Sequence, residues 1–304
     1  MTQIELRVAD EVQEALENGV PVVALESTIF THGLPRPRNV EVAKKADEIV
    51  RARGAVPATV GIYHGQPVVG LSDAEIEELA YDDDVTKVSV RDISYASITK
   101  KNGGTTIAAT ALLANRAGID VFATGGLGGV HHGASQSFDE SADIFSLAHI
   151  PIVMVSSGAK AILDIPATLE RFETLSIPVV GYRTDRYPGF YVVDSGHPLT
   201  ARVDEPSQVA AMLEAQKDLQ IDSAILVGQP IPEKDQLDPA ELEVVLEKAW
   251  IAADEAGATG QKATPFLLDY IRVATQDRSL DANVALYFNN VGLAADIASA
   301  VHAG

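Results

Sequence analysis

The chain has 304 residues, 46% of them hydrophobic, no cysteine, and 23 basic against 43 acidic side chains, for a formal charge of -20 at pH 7. That charge repels nucleic-acid polymers and anionic membrane surfaces, and the missing thiols exclude disulfides, zinc–thiolate centres and cysteine nucleophiles. A chain long enough for a large core, with this composition, points to a small-molecule protein of a reducing compartment, with the cytoplasm as the expected location.

In chain order, residues 1–16 read as an acidic amphipathic helix rather than a leader, and no run approaches about 18 apolar residues. Residues 20–25 form a buried strand ending on Glu26, followed by a helix at 40–53 and a β-hairpin at 58–70 that turns at His64 and Gly65. A helix at 72–79 leads through Asp82, Asp83 and Asp84, a solvated charge run, to a strand at 85–90. The Gly-rich loop 100–106 enters a helix at 105–117, and a strand at 119–123 runs into a second Gly-rich loop, 123–133. A helix at 141–148, a strand at 151–155, a Gly-Ala turn with Lys160 and then a helix follow; strands at 177–181 and 223–227 flank a helix at 206–219. From Pro239 the pattern is helical, over 241–256, 264–275 and 279–300. The alternation predicts a single α/β domain over 1–304, layered α/β/α, with a mixed, largely parallel central sheet and a helical C-terminal region.

The residues able to do chemistry stand where these strands end, the place at which open α/β sheets hold ligands. Glu26 suits a general acid or base if desolvated, though backbone donors at a strand end would serve it equally well. The loop KKNGGTT offers helix-start amides and the Thr105 and Thr106 hydroxyls to an anion, but an ordinary capped turn has the same letters. In ATGGLGGVHHG, Gly126 and Gly128 supply two glycines of a dinucleotide fingerprint, but His131 stands at the third position and the match fails. Its backbone still suits close approach to a ligand, with His131 as a donor to phosphate. Asp139 and Asp143, four apart, would share a helix face and suit one divalent cation, manganese or magnesium rather than zinc. An acidic first helical turn explains the same spacing. Lys160, just past a buried strand, has the amine that attacks a carbonyl once desolvated; a salt-bridged helix-start lysine would look the same.

As a set, ALESTI, GAVPAT, TKVS, KNGGTT, VFATGGLGGVH, FDESAD, the SGAK lysine, TPFLL and NVALYFNN run in one order from Glu26 to Asn290 and closely resemble the pseudouridine-5'-phosphate glycosidase family. The resemblance implies an enzyme that reversibly splits pseudouridine 5'-phosphate into uracil and ribose 5-phosphate, in the degradative direction in the cell. By motif, Lys160 corresponds to the lysine that forms an imine with C1' of the opened ribose, and Glu26 to the proton donor and acceptor. Asp139 corresponds to the ligand of one manganese ion per subunit, with magnesium or another divalent ion as alternatives. Ser141, Ala142 and Asp143 fall on a substrate-contacting triplet, Lys87 and Ile107 on further substrate positions, and Thr106, His131 and Asn283 on contacts to phosphate or sugar. The resemblance also implies a homotrimer acting on a small molecule, with no nucleic-acid polymer and no membrane as partner. Where the family pattern has arginine after the loop histidine, this chain has His132, and residues 181–199 carry no assigned role. A different lysine-imine enzyme, such as a sugar-phosphate aldolase, and a non-catalytic sugar-phosphate binder share some of these features; release of uracil separates the three.

Overall fold

Residues 4–258 and 263–303 are described by the computed structural model. Eleven strands join in one sheet: β1 (Arg7–Val8), β2 (Val22–Leu25), β3 (Val56–Tyr63), β4 (Gln66–Val69), β5 (Thr86–Val88), β6 (Gly103–Thr105), β7 (Val121–Ala123), β8 (Val153–Ser156), β9 (Val179–Tyr182), β10 (Arg202–Val203) and β11 (Ile225–Gly228). The path runs β1-β4-β3-β2-β7-β8-β11-β9-β10, with β6 on β3 and β5 on β6. β3 is antiparallel to β4 and β6, and the other pairings are parallel. β2, β7, β8 and β11 are buried at every residue. Their near-continuous apolar runs are those of parallel strands covered by helices, as the alternation requires.

The hairpin forms where expected, with His64 (φ 48°) and Gly65 (φ 83°) both in the left-handed region that a primed two-residue turn demands. Only glycine fits at the second place, since a Cβ on Gly65 would lie 2.7 Å from Lys100 Cα and 2.8 Å from Ser97 O. Two details differ from the sequence reading. Residues 1–3 of the expected N-terminal helix lie outside the described residues, and the chain first pairs β1 with β4 before the helix Asp10–Glu17 begins. Within the expected Gly-rich loop, residues 103–105 are strand β6; two glycines carry little strand propensity, but their bare backbone fits against Val88 and Thr31, where side chains would collide. The helix after Lys160 starts at Ile165, capped by Asp164 accepting from the Ala167 amide (3.0 Å), so Lys160 sits in the turn read for it and not at a helix start.

The C-terminal helix Arg278–His302 packs on β2, β7 and β8. Over an 18-residue window its mean hydropathy of 1.3 would pass for a membrane span, yet 56% of that window is buried inside the protein, the mark of a core helix. Fully buried Asn290 fastens it: its amide donates to Thr124 O (2.8 Å), Gly125 O (3.2 Å) and Ser157 Oγ (3.1 Å), tying the ends of β7 and β8 together.

Asn290→Leu strands these acceptors in an apolar interior and is expected to cost about 3 kcal/mol, read from the midpoint of urea unfolding. Asp47, on the helix Arg38–Arg51, is pushed up to about 7 by burial, with Arg51 opposing only in part. The folded state therefore holds a proton that the unfolded chain has released above its ordinary 3.8, so stability falls as pH rises across that window. Asp47→Asn should be neutral near about pH 4 and increasingly stabilising up to about pH 8, as unfolding midpoints across that range will show.

Candidate active site

β2 and β6 share one edge of β3. β2 pairs as far as Leu25 with Thr59, and from Gly61 onward β6 takes the edge, so the chain after Leu25 must leave the sheet. The turn is fixed by Ser27, whose Oγ accepts from the Thr105 amide (2.8 Å) and bonds Thr105 Oγ1 (3.2 Å). Glu26 is left at the strand end, 8% exposed, its two carboxylate oxygens accepting from the hydroxyls of Thr28 and of Thr124 at the end of β7. A buried carboxylate held by two hydroxyls and facing a cavity is oriented to give or take a proton.

Lys160 lies beyond the next strand. After β8 the chain stays in register with the glycine loop: Leu127 N–H donates to Gly158 O (2.9 Å) and Lys160 N–H to Leu127 O (3.1 Å). Among the described residues, the lysines in ion pairs are Lys44, Lys45 and Lys217; Lys160 and Lys87 have no carboxylate partner. Lys87, from β5, opens onto the same cavity, and its ammonium is held below its ordinary range by lost hydration and then by the charge of Lys160, with Asp143 and Glu26 opposing. The cavity has a volume of about 550 Å³ and is lined by Glu26, Lys87, Lys160 and Asn283, with an apolar wall that includes Phe190 and Leu268.

A second cluster adjoins Lys87. Asp143, 7% exposed, accepts from the Ala108 amide and the Gly128 amide, both at 3.0 Å, clamping the helix Ile107–Arg116 to the glycine loop. The Ala109 amide goes to Thr106 Oγ1 (3.4 Å), while Thr105 Oγ1 is spent inside the core on Val60 O (2.8 Å). The expected open anion site at this helix start is therefore filled largely by the protein's own carboxylate, and the Ile107 amide makes no bond to another described residue. The glycine loop is packed, not loose: Gly128 lies against Ser141 and Asp143, Gly129 against Thr168, and Gly126 against Phe190. His131 is half-buried and titrates below its ordinary value through lost hydration; Asp139 opposes this, while His132, Lys160 and Lys87 add to it.

Glu26, Lys87, Lys160 and Asn283 thus come together around the cavity, and Thr106, Ile107, Ser141, Ala142 and Asp143 gather at the adjoining helix starts, with His131 and Asp139 beside them. The shared helix face expected for Asp139 and Asp143 is not formed. The helix Ala142–Leu147 begins after Asp139, and Asp143 is committed to two amides. Lys100 and Lys101 are exposed and do not line the cavity, and His132 stacks on Trp250 at 4.2 Å. Sequence reasoning missed Thr28, Thr124, His32, Phe190 and Tyr191. The signal for the threonines was a hydroxyl at a strand end beside Glu26; for the aromatic pair there was none. Among the described residues no three or more His, Asp or Glu side chains form a metal cluster. Asp139, half-buried beside His131, offers one oxygen donor set, which fits a hard cation that keeps most of its water and does not fit zinc.

The sequence model of the indigoidine synthase A-like protein family matches residues 11–300. The pseudouridine-5'-phosphate glycosidase of Saccharopolyspora erythraea is 58% identical over 294 residues, 97% of each chain, and that of Salinispora tropica is 52% identical over 99% of this chain and 93% of its own. Among solved structures, the prealnumycin C-glycosynthase AlnA in complex with ribulose 5-phosphate superposes with a TM-score of 0.92, at 36% identity over 99% of this chain and 98% of its own. An indigoidine synthase A-like protein from Thermotoga maritima gives 0.89 at 38% identity, over 98% and 97%.

Gly128→Ala places a Cβ 2.5 Å from Asp143 Oδ2 and 2.6 Å from Ser141 Cβ. It is expected to cost about 2 kcal/mol of stability and to loosen the Asp143 clamp. Guanidinium unfolding, with amide exchange at Ala108 and Gly128, tests both effects.

Proposed function

The chain belongs to the pseudouridine-5'-phosphate glycosidase family, and we propose that it cleaves pseudouridine 5'-phosphate to uracil and ribose 5-phosphate through an imine on Lys160. The observation that carries this reading is the pairing, beyond the ends of β2 and β8 on either side of β7, of hydroxyl-held Glu26 with a lysine that lacks a carboxylate partner, both open to one cavity. Pseudouridine joins its base to ribose by a C–C bond, so protonating a leaving heteroatom, as ordinary glycosidases do, gives no way out.

The covalent route balances as follows. The C1'–O4' bond opens, O4' takes a proton, and the Lys160 amine bonds to C1'. Uracil C5 is protonated, the C1'–C5 bond breaks with its electron pair to C5, and the nitrogen lone pair forms the C1'=N bond of the imine. Water then adds at C1', and collapse of the adduct returns the amine and releases ribose 5-phosphate. Glu26 is assigned the proton transfers, its carboxylate kept in one orientation by Thr28 and Thr124. Lost hydration and then the charge of Lys160 disfavour the ammonium of Lys87, and among the described residues no carboxylate forms an ion pair with the Lys160 amine. The ribulose 5-phosphate bound by the AlnA relative supports an open-chain sugar, since its phosphorylated 5-hydroxyl cannot close a furanose ring.

Asp139 is assigned to a hydrated manganese ion, beside His131; when bound, the ion supplies positive charge to substrate oxygens. Lys87, the Ile107 amide, Thr106, the 141–143 triplet, His131 and Asn283 are assigned to phosphate and sugar contacts. We further propose a cytoplasmic homotrimer working in pseudouridine breakdown.

Borohydride added with ribose 5-phosphate is expected to leave a reduced sugar adduct on Lys160, located by peptide mass spectrometry; an unmodified Lys160 in active enzyme would refute the imine. Lys160→Ala should abolish uracil release, and Glu26→Gln should lower kcat by about a thousandfold. Chromatographic assay of uracil from pseudouridine 5'-phosphate with manganese measures both.

A further inference from the structure

No chemical role falls to residues 183–199, yet they fold against the turn that presents Lys160. The segment is cross-tied: Tyr187 N–H donates to His197 O (2.8 Å), Ser195 N–H to Tyr187 O (3.0 Å) and Leu237 N–H to Tyr191 O (2.9 Å), and Arg186 pairs with Asp194 (3.0 Å). Two bonds join it to the turn. Ala159 N–H donates to Tyr187 Oη (2.8 Å), and Phe190 N–H donates to Ser157 O (3.1 Å). Between those two anchor points lies Gly158, with φ 80°, a position closed to larger residues because a Cβ would meet Pro188 O and come within 3.1 Å of the Tyr187 ring.

The segment itself is held under strain at the cavity. Phe190 has φ 63°, in the left-handed region that a bulky side chain adopts only when its surroundings impose it. Its ring is 2% exposed, packs on Gly126 and, with Tyr191 at 4.6 Å between centroids, forms part of the cavity wall. Tyr187 is 1% exposed. Burial pushes its phenol far up its titration range, so its oxygen remains a neutral acceptor for the Ala159 amide. One segment thus grips the peptides on both sides of Gly158 and also shapes the space in front of Lys160.

We propose that residues 183–199 are a brace that sets the reactive position of Lys160, with Tyr187 as a positioning residue acting through the Ala159 amide. The proposal rests on Lys160 being the nucleophile of the reaction assigned above. Tyr187→Phe retains the ring and removes only the acceptor, leaving a buried amide that must find another partner by moving the turn.

In Tyr187→Phe, kcat for uracil release is expected to fall by about 30- to 100-fold with KM changed less than about threefold, because displacement of a nucleophile by roughly 1 Å costs rates of that order. Borohydride trapping on Lys160 should slow in proportion, and amide exchange of the peptide holding Ala159 and Lys160 should speed up by about tenfold. Ser223→Ala, which removes a hydroxyl bond to Ser176 O (3.0 Å) remote from the cavity, should lower stability and leave kcat alone. Wild-type kcat in Tyr187→Phe would overturn the brace, and so would a fall in kcat without faster exchange. If the wild-type protein releases no uracil and traps no sugar, the function reading fails; exchange at Ala159 and Lys160 then decides the brace by itself.

Discussion

The site depends on a competition for one edge of β3. β6, a strand built on two glycines, takes the edge beyond Thr59, and β2 has to end with Leu25. Had β2 continued, Glu26 would have pointed into a sheet face as part of a ladder. Displaced, it lines the cavity with its carboxylate held by Thr28 and Thr124. The parallel order β2-β7-β8 then sets Glu26, Thr124 and the Lys160 turn on three successive strand ends, and Asn290 ties the ends of β7 and β8 together.

Electrostatics at the site runs against the charge of the whole molecule. A chain with a net charge of -20 gathers Lys87 and Lys160 without carboxylate partners, while its acidic groups nearby are committed elsewhere. Asp143 serves two backbone amides, and Glu26 serves two hydroxyls. A carboxylate already satisfied by directed donors is a poor partner for an amine, so the lysines keep the chemical freedom that a salt bridge would remove.

The sheet strands were readable because buried parallel strands are apolar along their full length, and β2, β3, β7, β8, β9 and β11 fall where such runs stand. β6 was not readable, since Gly103 and Gly104 earn their place by close contact with residues distant in sequence. For the same reason the Asp139–Asp143 spacing misled: a four-residue interval puts side chains on one face only within a helix, and the helix starts at Ala142. Phe190 and Tyr191 left no local signal, as nothing in their own segment reveals that it folds back against the turn after β8.

By itself the sequence determined the fold class, the family, and the chemical types at the ends of the strands, because those follow from hydrophobic period and from motifs that carry their own residues. Only the tertiary structure decided which donors each group spends and which it keeps. Asp143 is closed off by backbone amides, Glu26 is aimed by hydroxyls from the turn after β2 and from the end of β7, and Lys160 is left without a carboxylate partner beside a brace of residues 183–199. Apart from Thr28, two residues from Glu26, these hydrogen-bond partners are chosen by proximity in space across 15 to 98 residues of chain, and no local pattern encodes that distance.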